Sequence, residues 1–509
     1  MGFEFSRRQW VTIVVISIAD FCNAVCVALQ APFYPKEAGL RGCSATEYGL
    51  VFGVFELVVF LVSPLYGAHI NRIGPKLLFN VGITTTGTCA ILFGMLDKVE
   101  DHIPFITLSF LIRIVEAMGN AAFLTASFAI IAKEFPNNVA TMFASLETFF
   151  GLGLIVGPTV GGALYSVGGY YLPFTVLGSA LFCAALMSFF ALPRNSDDED
   201  IKPTGHAVNQ ATMLTLLRIP GVLLAAVSII ITSMSIGFLQ ATLEPHLRQF
   251  DLSAVIMGLM FVINGGTYAV SAPAWGWLCD RPSIKPKYVT VLGCASVATG
   301  FLLIGPAPFF DMPTIIWVTV VGLLLHGIGM GSQLVASFSD ALSTAIASGL
   351  PNSIETYGLV SGMWTSTFAL GAFIGPTLSG VLWDSVGFRS STMFVFGLHM
   401  SMMIIVLVYL WSCDRSSKMD VSVSAGDLLQ LDGTLDGSVL IGDDQLIAPR
   451  VKSNRWGISV ERSRPPAMNS LIACASYKNR RSPWSQRTPR YRPSYGSLDT
   501  RFRGTMSVT

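Results

Sequence analysis

Twelve runs of predominantly apolar residues, each close to the ~20 that a helix needs to cross a bilayer core, leave this chain few choices of fold. They lie at 10–31, 46–68, 77–96, 104–127, 140–163, 171–192, 219–242, 254–277, 288–306, 314–337, 357–381 and 392–411. Backbone N–H and C=O groups cannot stay unpaired in hydrocarbon, so runs of this length are expected to be helices. Charged residues make up only 12% of the chain, about half of the share in a soluble protein, so lipid has to solvate most of it. The first run, from Trp10, is of full spanning length and lacks a small-residue cleavage pattern, which reads as a membrane helix and not a signal peptide. The expected class is an all-α membrane protein.

Basic residues set the expected direction of the helices. With a cytoplasmic N-terminus, thirteen Lys and Arg fall on the cytoplasmic side, from Arg7 and Arg8 through Arg72, Lys76, Arg281 and Lys285 to Arg415 and Lys418. Only Lys36, Arg41, Lys98, Arg248 and Arg389 fall on the other. Both termini are therefore expected in the cytoplasm. Residues 193–218 are polar, charged and Pro-containing, and read as a cytoplasmic linker between two bundles. The expected units are an N-terminal six-helix bundle (1–192), the linker, a C-terminal six-helix bundle (219–411) and a tail (412–509). The tail is acidic over 414–444, then basic and Pro/Ser-rich, a composition expected to stay disordered.

The two halves repeat each other. Gly67-Ala-His-Ile-Asn71-Arg72-Ile-Gly74-Pro follows the second segment, and Gly276-Trp-Leu-Cys-Asp280-Arg281 follows the eighth. Gly153-Leu-Ile-Val-Gly157-Pro158-Thr-Val-Gly161-Gly162 lies in the fifth segment, and Gly371-Ala-Phe-Ile-Gly375-Pro376-Thr-Leu-Ser-Gly380 in the eleventh. Gly at i and i+4 clears a helix face for a close neighbour, and Pro removes a backbone hydrogen bond and bends the helix. Repeated halves of this kind suggest alternating access around a site near the midplane. On these motifs the stretch 10–411 resembles the major facilitator superfamily: the 67–76 and 276–287 stretches look like its cytoplasmic loop signature, and the fifth segment like its antiporter signature. The resemblance implies two six-helix pseudo-symmetric bundles.

Ionisable groups at lipid depth cost roughly 2.5–3.5 kcal/mol each on insertion scales, so they are functional candidates. Here they are Asp20, Glu56, Arg113, Glu116, Glu147 and Glu244, with His326 and His399 as weaker ones. Five carboxylates against one cation would attract a cationic solute. A buried carboxylate that holds either a proton or an amine couples the two fluxes. Arg113 and Glu116 stand at i,i+3, where a structural salt bridge is an equal alternative. His326 reads as a packing histidine. Asp20 has no sequence-local basic partner and is the central candidate for substrate or proton contact, and Glu244 is the main one from the second half.

Several segments narrow the resemblance to the vesicular amine transporters. Asp20 with the run to Pro32-Phe-Tyr-Pro35, the Asn71-Arg72-Ile73-Gly74 turn, Leu243-Glu244-Pro245, Tyr357-Gly358 and Gly375-Pro376 look like elements of that family. Pro32 to Ala38, Phe55-Glu56-Leu57, Phe135 to Ala140 and Ser145-Leu-Glu147-Thr148 resemble its vesicular polyamine branch. The resemblance implies that Asp20 contacts the amine. Thr365 stands where the monoamine and acetylcholine carriers have an aspartate, and Phe55 where they have a lysine, so monoamine or acetylcholine transport is not expected.

The resulting expectation is a proton-coupled antiporter of small organic cations into a vesicular or endolysosomal compartment, with protons as coupling ion and no cofactor. The alternatives are a carrier of a neutral or anionic solute, and a non-transporting sensor or scaffold. A membrane enzyme is not expected, because no nucleophile motif or cofactor loop is present. The nine cysteines make no CxxC or Cys/His spacing, so neither a metal site nor a disulfide framework is expected. Partners are a small cationic substrate, the bilayer and sorting adaptors. The tail offers these Asp436 with Leu440 and Ile441, and Tyr495 with Leu498. A net charge of +1 gives no reason to expect nucleic acid.

Overall fold

The structure, a computed structural model, describes residues 5–191, 212–252, 254–308 and 313–432. Its long helices are α1 (Arg7–Leu40), α2 (Ala45–Ile73), α3 (Pro75–Gly94), α4 (His102–Glu134), α5 (Val139–Gly168) and α6 (Tyr171–Ala191) in the first half. A short α7 (Met213–Leu217) precedes α8 (Pro220–Leu247), α9 (Ala254–Cys279), α10 (Pro286–Ile304), α11 (Ile316–Ala347), α12 (Ile354–Val386) and α13 (Phe388–Asp432). Among the described residues eleven helices are long and apolar enough to cross a membrane. The 26-residue α9 corresponds to the remaining expected segment.

Local chemistry explains the boundaries. Ser6 and Ser44 open α1 and α2 with capping boxes, in which Gln9 and Glu47 reach back to the cap backbone, so two otherwise unpaired N–H groups are satisfied at each start. Gly74 adopts φ +89° between α2 and α3, a conformation that a side chain resists. Pro75 then starts α3 where its missing N–H costs nothing. Several boundaries differ from expectation, among them the ends of α1 at Leu40 and α11 at Ala347. The α13 helix runs past Trp411 to Asp432, since the polar stretch that follows contains no proline to stop it. The end of the expected linker forms α7, capped by Thr212, and 193–211 lie outside the described residues.

Within the first half α1 packs on α5 and α3 on α4 and α6; within the second, α8 packs on α12 and α10 on α11. The glycine repeats make these pairs close. A Cβ on Gly153 would stand 2.6 Å from the Ala24 Cβ, and one on Gly157 would stand 2.9 Å from the Val25 carbonyl oxygen. Gly161 faces Leu29 and Phe33 of α1. In the second half Gly371 and Gly375 face Ser233 and Met234 of α8, and Gly237 leaves room for the Pro376 ring. Gly162 and Gly380 meet open space, so packing does not explain them.

The two halves meet through α2 with α12 and α5 with α9. These contacts reach the face where α1 starts and α2 and α9 end, here called the terminal face. There the Asp280 carboxylate accepts hydrogen bonds from the N–H groups of Ala140 (3.0 Å) and Thr141 (2.8 Å). It thereby caps the start of α5 from the other half. At the equivalent place Asn71 Nδ2 donates to Glu355 on the first turn of α12 at 2.7 Å. Gly67 lies against Gly358 and Gly362, and Gly276 against Ala140 and Thr141. Arg281 stacks on the Trp277 ring at 3.6 Å, whereas Arg72 is exposed. Deeper in, Phe143 stacks on Phe338 at 4.3 Å, with Trp364 and Phe128 edge-on. Latch and aromatic plug together close the terminal face.

Candidate binding cavity

Beyond the aromatic plug lies a cavity between the halves. It encloses about 570 Å³ of non-atom space, open mouth included. Three carboxylic side chains line it: Asp20 from α1, Glu56 from α2 and Glu147 from α5. The aromatic wall is Phe55, Phe128, Phe150, Trp364 and Phe368, and no Lys or Arg is among the lining residues. Aromatic faces and carboxylates both attract cations, the faces through their quadrupole.

Of these three acids Asp20 is the most confined. It is 1% exposed, and its Oδ1 has no hydrogen-bond partner among the described residues. An unpartnered buried carboxylate oxygen is costly, so a proton or a cation is the natural occupant. Glu147 accepts a hydrogen bond from the Tyr268 hydroxyl of α9, which brings the second half to the same acid. Asn120, also in the wall, accepts from Asn23 Nδ2 at 2.8 Å.

Arg113 and Glu116 stand behind this wall. The guanidinium donates to the Glu116 carboxylate at 2.9 Å, and Gln30 Nε2 donates to both its oxygens at 2.7 and 3.0 Å. Arg113 also lies on the Phe55 ring, 4.1 Å from its centre. The deep cation is thus neutralised by its neighbour and screened from the cavity by a ring. Glu244 lies elsewhere, near the far end of α8. It holds Arg248 through two bonds of 2.8 and 2.9 Å, with side chains 42% and 71% exposed. It falls two residues beyond the apolar run in which the sequence placed its helix, so the solvent-exposed position is understandable. His326 is satisfied by Asn264 (2.9 Å) and Ser235 (3.1 Å), whereas His399 meets the Val395 carbonyl through Nδ1 and its buried Nε2 has no partner among the described residues.

The profile of the Major Facilitator Superfamily matches residues 16–354. The chain belongs to the major facilitator superfamily. It is 38% identical over 385 residues to the human MFS-type transporter SLC18B1, covering 75% of this chain and 82% of the human protein. It is 36% identical to the mouse protein of the same name, over 80% of this chain and 88% of that one. The crystal structure of the human organic anion transporter MFSD10 (TETRAN) has the same fold, with a TM-score of 0.64 over 79% of this chain and all of that one at 18% identity. This facilitator is therefore a multi-pass membrane transporter, on the branch of the SLC18B1 proteins.

Two positions singled out by resemblance also reach the cavity of this facilitator. Thr365 lines it, its hydroxyl donating to the Ser361 carbonyl at 3.0 Å, and Phe55 lines it in front of Arg113. Two further buried residues carry no local signal in the sequence. Tyr268 is one apolar-looking aromatic among many, and nothing local marks it as the partner of Glu147. Asp340 lies past the expected end of its apolar run, but α11 continues to Ala347. Buried Asp340 accepts from Lys287 of α10, 53 residues away in sequence. Asp436, Leu440, Ile441, Tyr495 and Leu498 lie outside the described residues.

Proposed function

We propose that this transporter is a proton-coupled antiporter of small organic cations, with polyamines as its substrate class, that fills an intracellular vesicle. The observation that carries the reading is the cavity itself: three acidic side chains and five aromatic ones, with no basic residue in the wall. A linear polyamine offers several ammonium groups to several carboxylates and methylene segments to aromatic faces. Asp20, which lacks a protein partner at Oδ1, is the primary amine contact. Glu56 and Glu147 are the further acids that exchange a proton for the cation.

Net coupling follows if no site holds proton and amine together. A carrier that returns empty of amine must then bring a proton back, and an acidic compartment drives the cycle. The polyamine branch resemblance supports the substrate class, and the closed terminal face supports alternating access. The terminal face is read as cytoplasmic from the distribution of basic residues. The vesicular address rests on Asp436-Leu440-Ile441 and Tyr495-Leu498 with adaptors as partners. The reading needs no cofactor and no covalent catalysis.

Reconstituted liposomes with an imposed inside-acid gradient test it. Labelled spermine should accumulate, and the accumulation should vanish when an ionophore collapses the gradient. Gradient-independent uptake of a neutral solute or an anion, without spermine uptake, would refute it.

A further inference from the structure

On the face opposite the termini, three side chains from separate elements converge: Cys43 in the turn after α1, Glu47 in the first turn of α2 and His102 at the start of α4. Their ligand atoms (a thiol sulfur, a carboxylate oxygen and an imidazole nitrogen) all lie within 4.8 Å of one another. Tetrahedral zinc holds sulfur, nitrogen and oxygen ligands about 3.3–3.7 Å apart from each other, so small side-chain rotations close the set around an ion.

The hydrogen bonds around His102 point the same way. Its Nδ1 lies 3.2 Å from the Arg41 carbonyl oxygen and its Nε2 lies 3.1 Å from Glu47 Oε1. Both ring nitrogens face acceptors, but a neutral imidazole has only one N–H to give. A neutral ring can therefore donate at only one of these two contacts. If Nδ1–H donates to the carbonyl, Nε2 is left as a ligand in a fixed orientation, the arrangement that second-shell partners give metal-bound histidines.

Glu47 divides its work in the same manner. Oε2 accepts from the Ser44 N–H at 2.7 Å as part of the α2 cap, leaving Oε1 toward His102. Cys43 is a free thiol and 8% exposed. The nearby Arg41 is neutralised by Glu37 at 2.7 Å and by Asp97 at 3.7 Å. A thiolate, a carboxylate and a neutral imidazole would balance a divalent ion.

We propose that Cys43, Glu47 and His102 form a zinc-class divalent metal site on this face, with water as fourth ligand. The ligand set excludes the hard cations calcium and magnesium, which take oxygen donors, and suits a borderline ion. His102 and Glu47 are partly exposed, 37% and 35% at their side chains, which leaves room for the water. Binding pins the α1–α2 turn to the start of α4 within one half, so the site adds local rigidity without crossing the transport pathway. The inference is independent of the substrate.

The full-length chain in detergent, with Zn²⁺ and Co²⁺ as probes, provides the test. Micromolar Zn²⁺ should slow alkylation of Cys43 at least about tenfold by mass action, read peptide by peptide with mass spectrometry and reversed by chelator. The exposed Cys183 should react at an unchanged rate. His102→Gln should abolish the protection. Alkylation of Cys43 at equal rates with and without Zn²⁺, or protection that survives His102→Gln, overturns the site. Should the variant fail to fold, the wild-type Co²⁺ spectrum decides: a thiolate-to-cobalt charge-transfer band lost on Cys43→Ser supports the site, and its absence rejects it.

Discussion

The hydroxyl of Tyr268 in α9 donates to the carboxylate of Glu147 in α5, so a buried acid that lines the cavity also ties the two halves together. What occupies Glu147 therefore bears directly on how firmly the halves hold. A proton or an ammonium that took the carboxylate away from Tyr268 would weaken the closed terminal face. In the proposed cycle that is the link between binding and movement.

Tyr268→Phe removes this tie and keeps the ring. A hydrogen bond to a charged group contributes about 1.5–3 kcal/mol, so the closed terminal face should lose about 10–150-fold in relative population. Spin labels at Ile73 and Ser283, both exposed at that face, should report longer distances. An unchanged distance distribution would show that the bond does not hold the halves.

Asp280 accepts from two N–H groups at the start of α5, and losing a cap of this kind costs about 0.5–2 kcal/mol. Asp280→Ala should therefore expose the aromatic plug more often. A cysteine placed at Phe338, 1% exposed in this state, should be labelled about 2–30-fold faster in the Asp280→Ala background. Equal labelling rates would remove Asp280 from the latch.

Arg113 and Glu116 form a buried pair, 4% and 0% exposed at their side chains. Removing one member strands a charge and costs about 3–5 kcal/mol, while replacing both by apolar residues is often neutral. Arg113→Ala should lower the thermal unfolding midpoint sharply, and Arg113→Met with Glu116→Leu should restore most of it. A double variant as unstable as the single one would mean that the pair does more than neutralise itself.

Much of this architecture was legible in the sequence, because hydrophobic run length reports directly on membrane spans. The glycine repeats were legible for the same reason: a missing Cβ has one packing consequence, and Gly153 and Gly371 show it in matching places. Asp20, Glu56 and Glu147 stood out because charge is rare at that depth, and the fold brings them into one cavity. Depth alone could not separate them from Glu116, whose partner Gln30 lies 86 residues away. Nor could local sequence reveal Tyr268, Asp340 or the Cys43–Glu47–His102 cluster, which exist only through long-range packing.

Glu244 is the contrasting case. Its pair with Arg248 is exposed on both sides, and such pairs contribute about 0–1 kcal/mol. Glu244→Gln should leave gradient-driven spermine uptake within about twofold of wild type, with a matching unfolding midpoint. A loss as large as that of a cavity acid would bring Glu244 back into the transport path.

Asp20 carries the central claim. Its buried oxygen without a protein partner makes it the expected seat of the amine. Asp20→Asn keeps the shape and removes the charge. In liposomes with an inside-acid gradient, the variant should lose spermine uptake by at least about tenfold, the scale of one charged hydrogen bond, while its unfolding midpoint stays near wild type. Uptake that persists in Asp20→Asn with the same dependence on the pH gradient would contradict the account.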